Sequence, residues 1–319
     1  MKISVIEPLG VPEEILKEML SAAVGESELV FWQDCRTDTA ALIERCRDAD
    51  AVVLTNIRFT REVMEQCPLL KYICVAFTGY DHVDMEYCRE KGILVSNCAG
   101  YSTAAVSELV FGLIGAVYRK IMLCDNAARN GKTSAGLCGI ELEGKKFGVI
   151  GAGAIGARTA AIARAFGCEV YAYSRTKKDI PGVTFIGLDE LMSSCDIVSV
   201  HVPSNSETAG LVSRDRIAMM KRSAILINTA RDPVVDNNAL AEALNSGSIS
   251  GAGIDVFDME PPLPSDYPLT TAKNCVLTPH VGFLTNEAMI KRAAIVAANL
   301  KAFREGRPIN TVWGTPGIL

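Results

Sequence analysis

A chain of 319 residues that is 49% apolar and 22% charged has an ordinary soluble globular composition, which excludes a disordered or fibrous protein. Its length favours two domains of about 100–200 residues each. A formal net charge of −5 with no basic run excludes an electrostatic footprint for nucleic acid.

In chain order, the first third alternates β-rich runs (Ile3–Ile6, Ala51–Leu54, Tyr72–Val75) with amphipathic stretches (Glu13–Ala23, Asp38–Arg47), the rhythm of a parallel α/β sheet. The N-terminal residues lack a long apolar run and a cleavage site, so the expected location is cytoplasmic. A long helical pattern runs from Thr103 to Arg129, capped by Ser102 or Thr103 and ending before Asn130-Gly131. Its most apolar stretch, Leu109–Tyr118, is half the ~20 residues that span a bilayer and reads as a buried helix.

After the polar segment 132–144 a second series begins: strand Phe147–Ile150, helix Ala154–Phe166, then strands Glu169–Tyr173, Asp196–Val200, Ala224–Asn228 and Cys275–Thr278. This is a Rossmann-like order of elements. Composition alone puts a domain boundary near 131–145. Pro261, Pro262, Pro264 and Pro268 mark an irregular loop close to the chemistry proposed below. Eleven cysteines without a C-x-x-C pair read as reduced thiols. The three histidines, His82, His201 and His280, form no ligand motif, so no metal site is expected.

Gly151-Ala152-Gly153-Ala154-Ile155-Gly156 follows an apolar strand and opens an alanine-rich helix, the context that a dinucleotide fingerprint requires. The glycines permit a tight turn and close approach of a pyrophosphate, and the helix N-terminus offers it amides. At the end of the next strand, Ser174-Arg175-Thr176 stands where an acidic residue would bind a ribose 2′-hydroxyl. Ser174 can donate to a 2′-phosphate and Arg175 can pair with it, so NADP(H) is favoured and NAD(H) remains possible. The alternative is an Arg175 that faces water.

Arg231, Glu260 and His280 then follow in order, the last in Leu-Thr-Pro-His-Val-Gly. With Thr78-Gly79-Tyr80-Asp81-His82-Val83-Asp84, Asn97-Cys98-Ala99-Gly100-Tyr101-Ser102-Thr103, His201-Val202-Pro203, Ile227-Asn228-Thr229-Ala230-Arg231 and Gly253-Ile254-Asp255-Val256-Phe257, most of the sequence resembles the D-isomer-specific 2-hydroxyacid dehydrogenase family. The hydroxypyruvate or glyoxylate reductase and glycerate dehydrogenase branch is the most similar. The resemblance implies reversible NAD(P)H-dependent reduction of a small 2-oxo acid to the D-2-hydroxy acid. Arg231 would grip the substrate carboxylate and carbonyl, His280 would be the acid/base and Glu260 would orient it.

The residue chemistry agrees with those roles. An arginine fork suits a carboxylate, imidazole suits proton transfer near neutral pH, and a carboxylate beside an imidazole favours the imidazolium. Family likeness further implies that Thr103, His201, Val202, Pro203, Thr229, Ala230 and Asp255 line the cofactor site. The backbone amides of Thr78 and Gly79 would hold the carboxylate; Phe77 and Tyr80 either shape the side-chain pocket or pack in a core.

The implied architecture is two Rossmann-like parallel-sheet α/β domains. A dinucleotide-binding domain, 99–285, is inserted into a discontinuous substrate domain, 1–98 with 286–319, and the helix from Thr103 forms a homodimer interface. Three positions depart from the family pattern: Ser174 for an acidic residue, Asp232-Pro233 where glycine commonly follows the arginine, and Phe283 where a smaller residue is frequent. An alternative of another class is a dinucleotide-sensing, corepressor-like binding protein on the same fold.

Overall fold

The computed structural model describes residues 1–34, 36–176, 178–259 and 261–313. Contacts divide the chain into two compact units, Met1–Ser102 with Leu284–Leu319, and Thr103–Phe283. The first unit opens with β1 (Lys2–Val5), α1 (Glu13–Val24), β2 (Glu28–Phe31), α2 (Thr39–Cys46), β3 (Ala51–Leu54), α3 (Arg61–Glu65), β4 (Tyr72–Val75), α4 (Met85–Lys91) and β5 (Leu94–Asn97).

The second unit contains α5 (Thr103–Tyr118), α6 (Ile121–Arg129), β6 (Lys146–Ile150), α7 (Ala154–Ala165), β7 (Glu169–Tyr173), β8 (Val183–Phe185), α8 (Leu188–Ser194), β9 (Ile197–Val200), α9 (Arg214–Ala218), β10 (Ile225–Asn228), α10 (Asn237–Ser246), β11 (Gly251–Ile254) and β12 (Cys275–Leu277). The chain then completes the first unit with α11 (Asn286–Arg304) and β13 (Thr311–Trp313).

In the first unit the strand order is β13-β5-β4-β3-β1-β2. All pairs are parallel except β13 with β5. Every side chain of β3, β4 and β5 is buried, as strands covered on both faces require. Leu16, Leu20 and Val24 recur four apart along α1, forming the apolar stripe of a helix that packs on α11. Tyr72 of β4 stacks on Phe303 of α11 with ring centroids 4.2 Å apart. The edge strand is fastened by Trp313 Nε1, which donates to Ile93 O at 2.7 Å.

The second sheet is wholly parallel, with order β12-β11-β10-β9-β6-β7-β8. Alternate residues feed two separate cores: Phe147, Val149, Ile197, Ile225 and Ile227 pack with α5 and α7, while Ile150, Val198, Val200 and Leu226 pack with α8, α9 and α10. That is the period-two signature of a sheet with helices on both faces. The order reverses between β6 and β9, the position where such sheets leave a crevice at their C-terminal ends.

The single helix expected over 103–129 is two helices. Lys120 adopts φ 52, which α-helix cannot accommodate. Tyr118 O accepts from Ile140 N at 3.0 Å, while Cys124 N pairs with Lys120 O to start α6. Leu109–Tyr118 does lie in a helix whose Val110, Leu113, Ile114, Val117 and Tyr118 are buried. Among the described residues no helix is long and apolar enough to cross a membrane.

Candidate active site

The glycine turn sits at the C-terminal end of β6, beside the reversal point. Gly151 has φ +102, and a Cβ there would lie 2.7 Å from His201 O and 2.8 Å from Val202 Cγ1. At Gly156 a Cβ would stand 2.0 Å from Gly151 O. Both glycines are therefore demanded by the protein's own packing. Gly153, which caps α7, meets nothing within 4 Å, so its missing side chain leaves room facing the first turn, Ala154, Ile155 and Gly156. A cradle that a Cβ would fill, at the amide end of a twelve-residue helix, suits a pyrophosphate.

Around that turn, Thr229 at the end of β10 is buried and its Oγ1 has no hydrogen-bond partner, a donor and acceptor available to a ligand. His201 follows β9, accepts or donates at Nε2 with Ser199 Oγ at 2.9 Å, and is pushed down to about 4 by desolvation, which keeps it neutral near pH 7. Val202 is half-buried and Pro203 exposed. Ser174 is half-buried beyond β7, whereas Arg175 and Thr176 are exposed. Arg175 pairs with Glu207 across the loop that follows β9. Sequence reading did not anticipate an acidic partner from that loop. Thr103, the first residue of α5, gives its carbonyl to Ser107 Oγ.

Three adjacent strand ends supply the remaining groups of this unit. At the end of β10, the buried Asn228 braces the arginine turn: its Oδ1 accepts from Ala230 N at 3.0 Å and its Nδ2 donates to Arg231 O at 3.1 Å. Arg231 is half-buried, with extended backbone and Nη1 donating to Ala230 O at 2.8 Å.

At the end of β12, His280 adopts φ 54, a left-handed conformation that a non-glycine residue holds only when its surroundings impose it. Its amide closes on Thr278 O at 3.0 Å, and Phe283 meets its ring edge-on at 5.4 Å.

Asp255, at the end of the intervening β11, supplies what imposes that turn. It is 1% exposed and accepts from Thr278 Oγ1 at 2.6 Å, Val281 N at 2.9 Å and Gly282 N at 2.8 Å. Burial pushes its carboxyl up, and those hydrogen bonds, with the His280 charge, act against the push. Gly282 must lack a side chain, because a Cβ would come 2.8 Å from Asp255 Oδ2. Sequence reading had assigned Asp255 to the cofactor alone; holding the histidine turn is a task it missed.

Glu260 lies outside the described residues. Phe77, Thr78, Gly79 and Tyr80 belong to the first unit, just beyond β4. Phe77 is buried, with its ring 6.1 Å from Tyr101, and Tyr80 is exposed. Thr78 O accepts from Asn97 Nδ2 at 2.7 Å, which fixes this loop to the end of β5. Among the described residues no cluster of His, Cys, Asp or Glu could hold a metal ion.

Residues 111–282 match the family described as D-isomer specific 2-hydroxyacid dehydrogenase, NAD binding domain. The chain is 36% identical over 300 residues to a hydroxypyruvate reductase of Blautia hydrogenotrophica, covering 91% of this chain and 92% of that one. It is 40% identical over 303 residues to a glyoxylate reductase of Thermofilum pendens, covering 92% and 88%. An acyclic imino acid reductase solved with NADPH and D-Arg shares the fold at a TM-score of 0.90 and 31% identity, over 98% of this chain and 100% of that one. A glycine turn between strand and helix, in a parallel sheet matched along nearly its whole chain by such relatives, makes this protein a member of the D-isomer-specific 2-hydroxyacid dehydrogenase family, an oxidoreductase that uses a nicotinamide dinucleotide.

Proposed function

We propose that the chain reduces a small 2-oxo acid, hydroxypyruvate or glyoxylate first among them, to the D-2-hydroxy acid, reversibly and with NADPH preferred to NADH. The observation that carries this reading is the His280 turn: a half-buried histidine with left-handed backbone, the two residues after it donating their amides to the Asp255 carboxylate, two strands from the Arg231 turn. A braced turn beneath an acid/base group suits proton transfer at a carbonyl oxygen, which depends on position.

When bound, the nicotinamide supplies the hydride. Arg231 then holds the 2-oxo acid by its carboxylate, using paired N–H donors that a lysine cannot reproduce. His280 gives its proton to the carbonyl oxygen as charge develops there, and takes it back in the oxidative direction. Glu260 orients the imidazole in this reading. The amides of Thr78 and Gly79 receive the carboxylate, with Phe77 and Tyr80 beside the substrate's side chain.

Gly153 and the first turn of α7 would hold the pyrophosphate of a bound dinucleotide, and Ser174 with Arg175 would receive a 2′-phosphate. His201-Val202-Pro203, Thr229-Ala230, Thr176, Asp255 and Thr103 complete the cofactor surroundings. The protein acts in the cytoplasm as a homodimer, a state supported by Ile121, Met122 and Leu123 standing 49%, 64% and 57% exposed on α6.

The test follows absorbance of NADPH and of NADH with hydroxypyruvate, glyoxylate, pyruvate and longer 2-oxo acids, with His280→Ala as control. The expected result is turnover with NADPH well above NADH, reduced roughly 10²–10⁴-fold in the variant. Tight NADPH binding without turnover of any 2-oxo acid would instead favour the dinucleotide sensor.

A further inference from the structure

Asn97, the last residue of β5, is 8% exposed and has all four of its polar groups engaged. Its amide donates to Asn310 O at 3.1 Å, and its carbonyl accepts from Asn299 Nδ2 at 2.9 Å. In the side chain, Oδ1 accepts from Ala99 N at 3.4 Å and Nδ2 donates to Thr78 O at 2.7 Å. Asn299, buried in α11, is held in turn by Asn310, whose Nδ2 donates to its Oδ1 at 2.8 Å. Two side-chain amides from the C-terminal segment thus back a third, which reaches the loop beyond β4.

That third amide fixes the direction of a peptide plane. A trans peptide is planar, with its carbonyl and its N–H pointing opposite ways. The Phe77 carbonyl shares its plane with the Thr78 amide, and the Thr78 carbonyl with the Gly79 amide. Phe77 O accepts from Cys98 N at 2.9 Å, so two consecutive carbonyls are pinned to the neighbouring residues 97 and 98. In an extended strand consecutive carbonyls face opposite neighbours; here the chain bends at 76–78 and turns both to one side. The amides of Thr78 and Gly79 therefore both face away from β5, as adjacent donors of the kind that receives an anion. Among the described residues neither donates to a protein acceptor. Backbone holds the Phe77 carbonyl, whereas the side chain of Asn97 holds that of Thr78.

We infer that Asn97 is a positioning residue for substrate binding: backed by Asn299 and Asn310, its side-chain amide aims the Gly79 N–H at the substrate carboxylate. The inference rests on the reading of the Thr78 and Gly79 amides as the groups that receive that carboxylate. Asn97 acts through the peptide and needs no contact with the substrate. Without its donor the Thr78–Gly79 peptide is free to rotate, and one of the two amides loses its aim. A carboxylate is held alike before and during reaction, so the loss falls on KM rather than kcat.

The experiment measures KM and kcat for glyoxylate at saturating dinucleotide, dinucleotide Kd by fluorescence, and 15N relaxation at Gly79, in wild type, Asn97→Ala, Asn97→Asp and Asn310→Gly. Asn97→Asp keeps the shape and the acceptor for Ala99 while removing the donor to Thr78. Asn310→Gly suits the left-handed φ of 53 at that exposed position and removes only the backing of Asn299. KM is expected to rise roughly tenfold in both Asn97 variants, the scale of one hydrogen bond to a charged group, and roughly twofold in Asn310→Gly. The value of kcat should stay within about threefold of wild type and dinucleotide Kd within about twofold. At Gly79 the order parameter should fall in the Asn97 variants from about 0.85 toward 0.6, with β4 and β5 unchanged.

An unchanged KM with an unchanged Gly79 order parameter overturns the inference. So does a parallel loss in KM, kcat and dinucleotide affinity, which marks a merely structural role. The relaxation readout needs no turnover. If Gly79 loosens while KM stays fixed, or in a protein that turns over no 2-oxo acid, Asn97 holds the loop but the loop does not receive the carboxylate. The reading of Thr78 and Gly79 has then failed, and the link from Asn97 to substrate fails with it. Should neither Asn97 variant fold, Asn310→Gly decides alone: an unmoved KM and an unmoved Gly79 overturn the inference.

Discussion

The guanidinium of Arg175 pairs with Glu207. With the side chains 81% and 64% exposed, the pair contributes little to stability. A 2′-phosphate received by Arg175, as proposed, would have to share or displace the Glu207 carboxylate. Arg175→Ala should therefore weaken NADPH binding roughly 10–100-fold, the worth of about 1.4–2.8 kcal/mol, while NADH binding stays within twofold of its starting value. Glu207→Gln should tighten NADPH alone. Fluorescence titration of both cofactors decides, and equal effects on NADPH and NADH would sink the assignment of Arg175. At Asp255 the expected cost is structural as well: Asp255→Ala leaves two backbone amides and a hydroxyl without their acceptor, and urea unfolding should show a loss of about 2–5 kcal/mol together with loss of turnover. Neither relation was legible in the sequence. Arg175 meets a residue 32 positions away, and Asp255 one 23 positions away and beyond, so only the folded sheet brings them together. The identities of Arg231 and His280, in contrast, stood out because each lies in a short motif at a strand end.

At the scale of elements, the turn from β6 into α7 separates what glycine does for the fold from what it does for a ligand. Gly156→Ala puts a Cβ 2.0 Å from Gly151 O and should destabilise the protein by several kcal/mol. Gly153→Ala meets no protein atom within 4 Å and should leave Tm within a degree or two, yet lose dinucleotide affinity at least tenfold. A thermal melt beside a cofactor titration tells them apart; an undisturbed affinity in Gly153→Ala would remove the pyrophosphate from this cradle. The turn was readable in advance because strand, glycines and alanine-rich helix are contiguous. β11 was not, since Gly251-Ala252-Gly253-Ile254 reads as a loop by propensity. Its glycines belong to the packing: a Cβ at Gly251 would reach Val117 Cγ1 at 2.6 Å and one at Gly253 would reach Leu113 Cβ at 2.8 Å. Close passage of α5 over the sheet selects them, and that information lies in another element. The break at Lys120 was hidden for the same reason, because the partner that takes Tyr118 O, Ile140, belongs to a later segment.

Over the whole molecule, the alternation of strands and helices made two parallel sheets readable, but the short edge strands β2, β8 and β13, of 4, 3 and 3 residues, carried too little pattern to be seen. Cofactor binding should be registered unequally along the chain. A nicotinamide dinucleotide at about 100 times its Kd stabilises the folded state by about 2.7 kcal/mol. Hydrogen exchange should slow most at residues 150–157, 174–176 and 201–203, with the native-state fluctuations of β1–β5 little changed. Slowing confined to β1–β5 would contradict a dinucleotide site on the second unit. The interrupted course of the first unit also matters before the protein is complete. Ser96 of β5 waits for Ile309, 213 residues later, and the apolar stripe of α1 waits for α11. A ribosome therefore finishes the continuous unit Thr103–Phe283 while the earlier sheet still lacks an edge strand and a covering helix. A premature stop codon beyond Phe283 would release a chain able to take up dinucleotide while its N-terminal sheet stays exposed to chaperones and proteases. Abundance in the cell would then be more sensitive than cofactor affinity to damage at the 3′ end of the message.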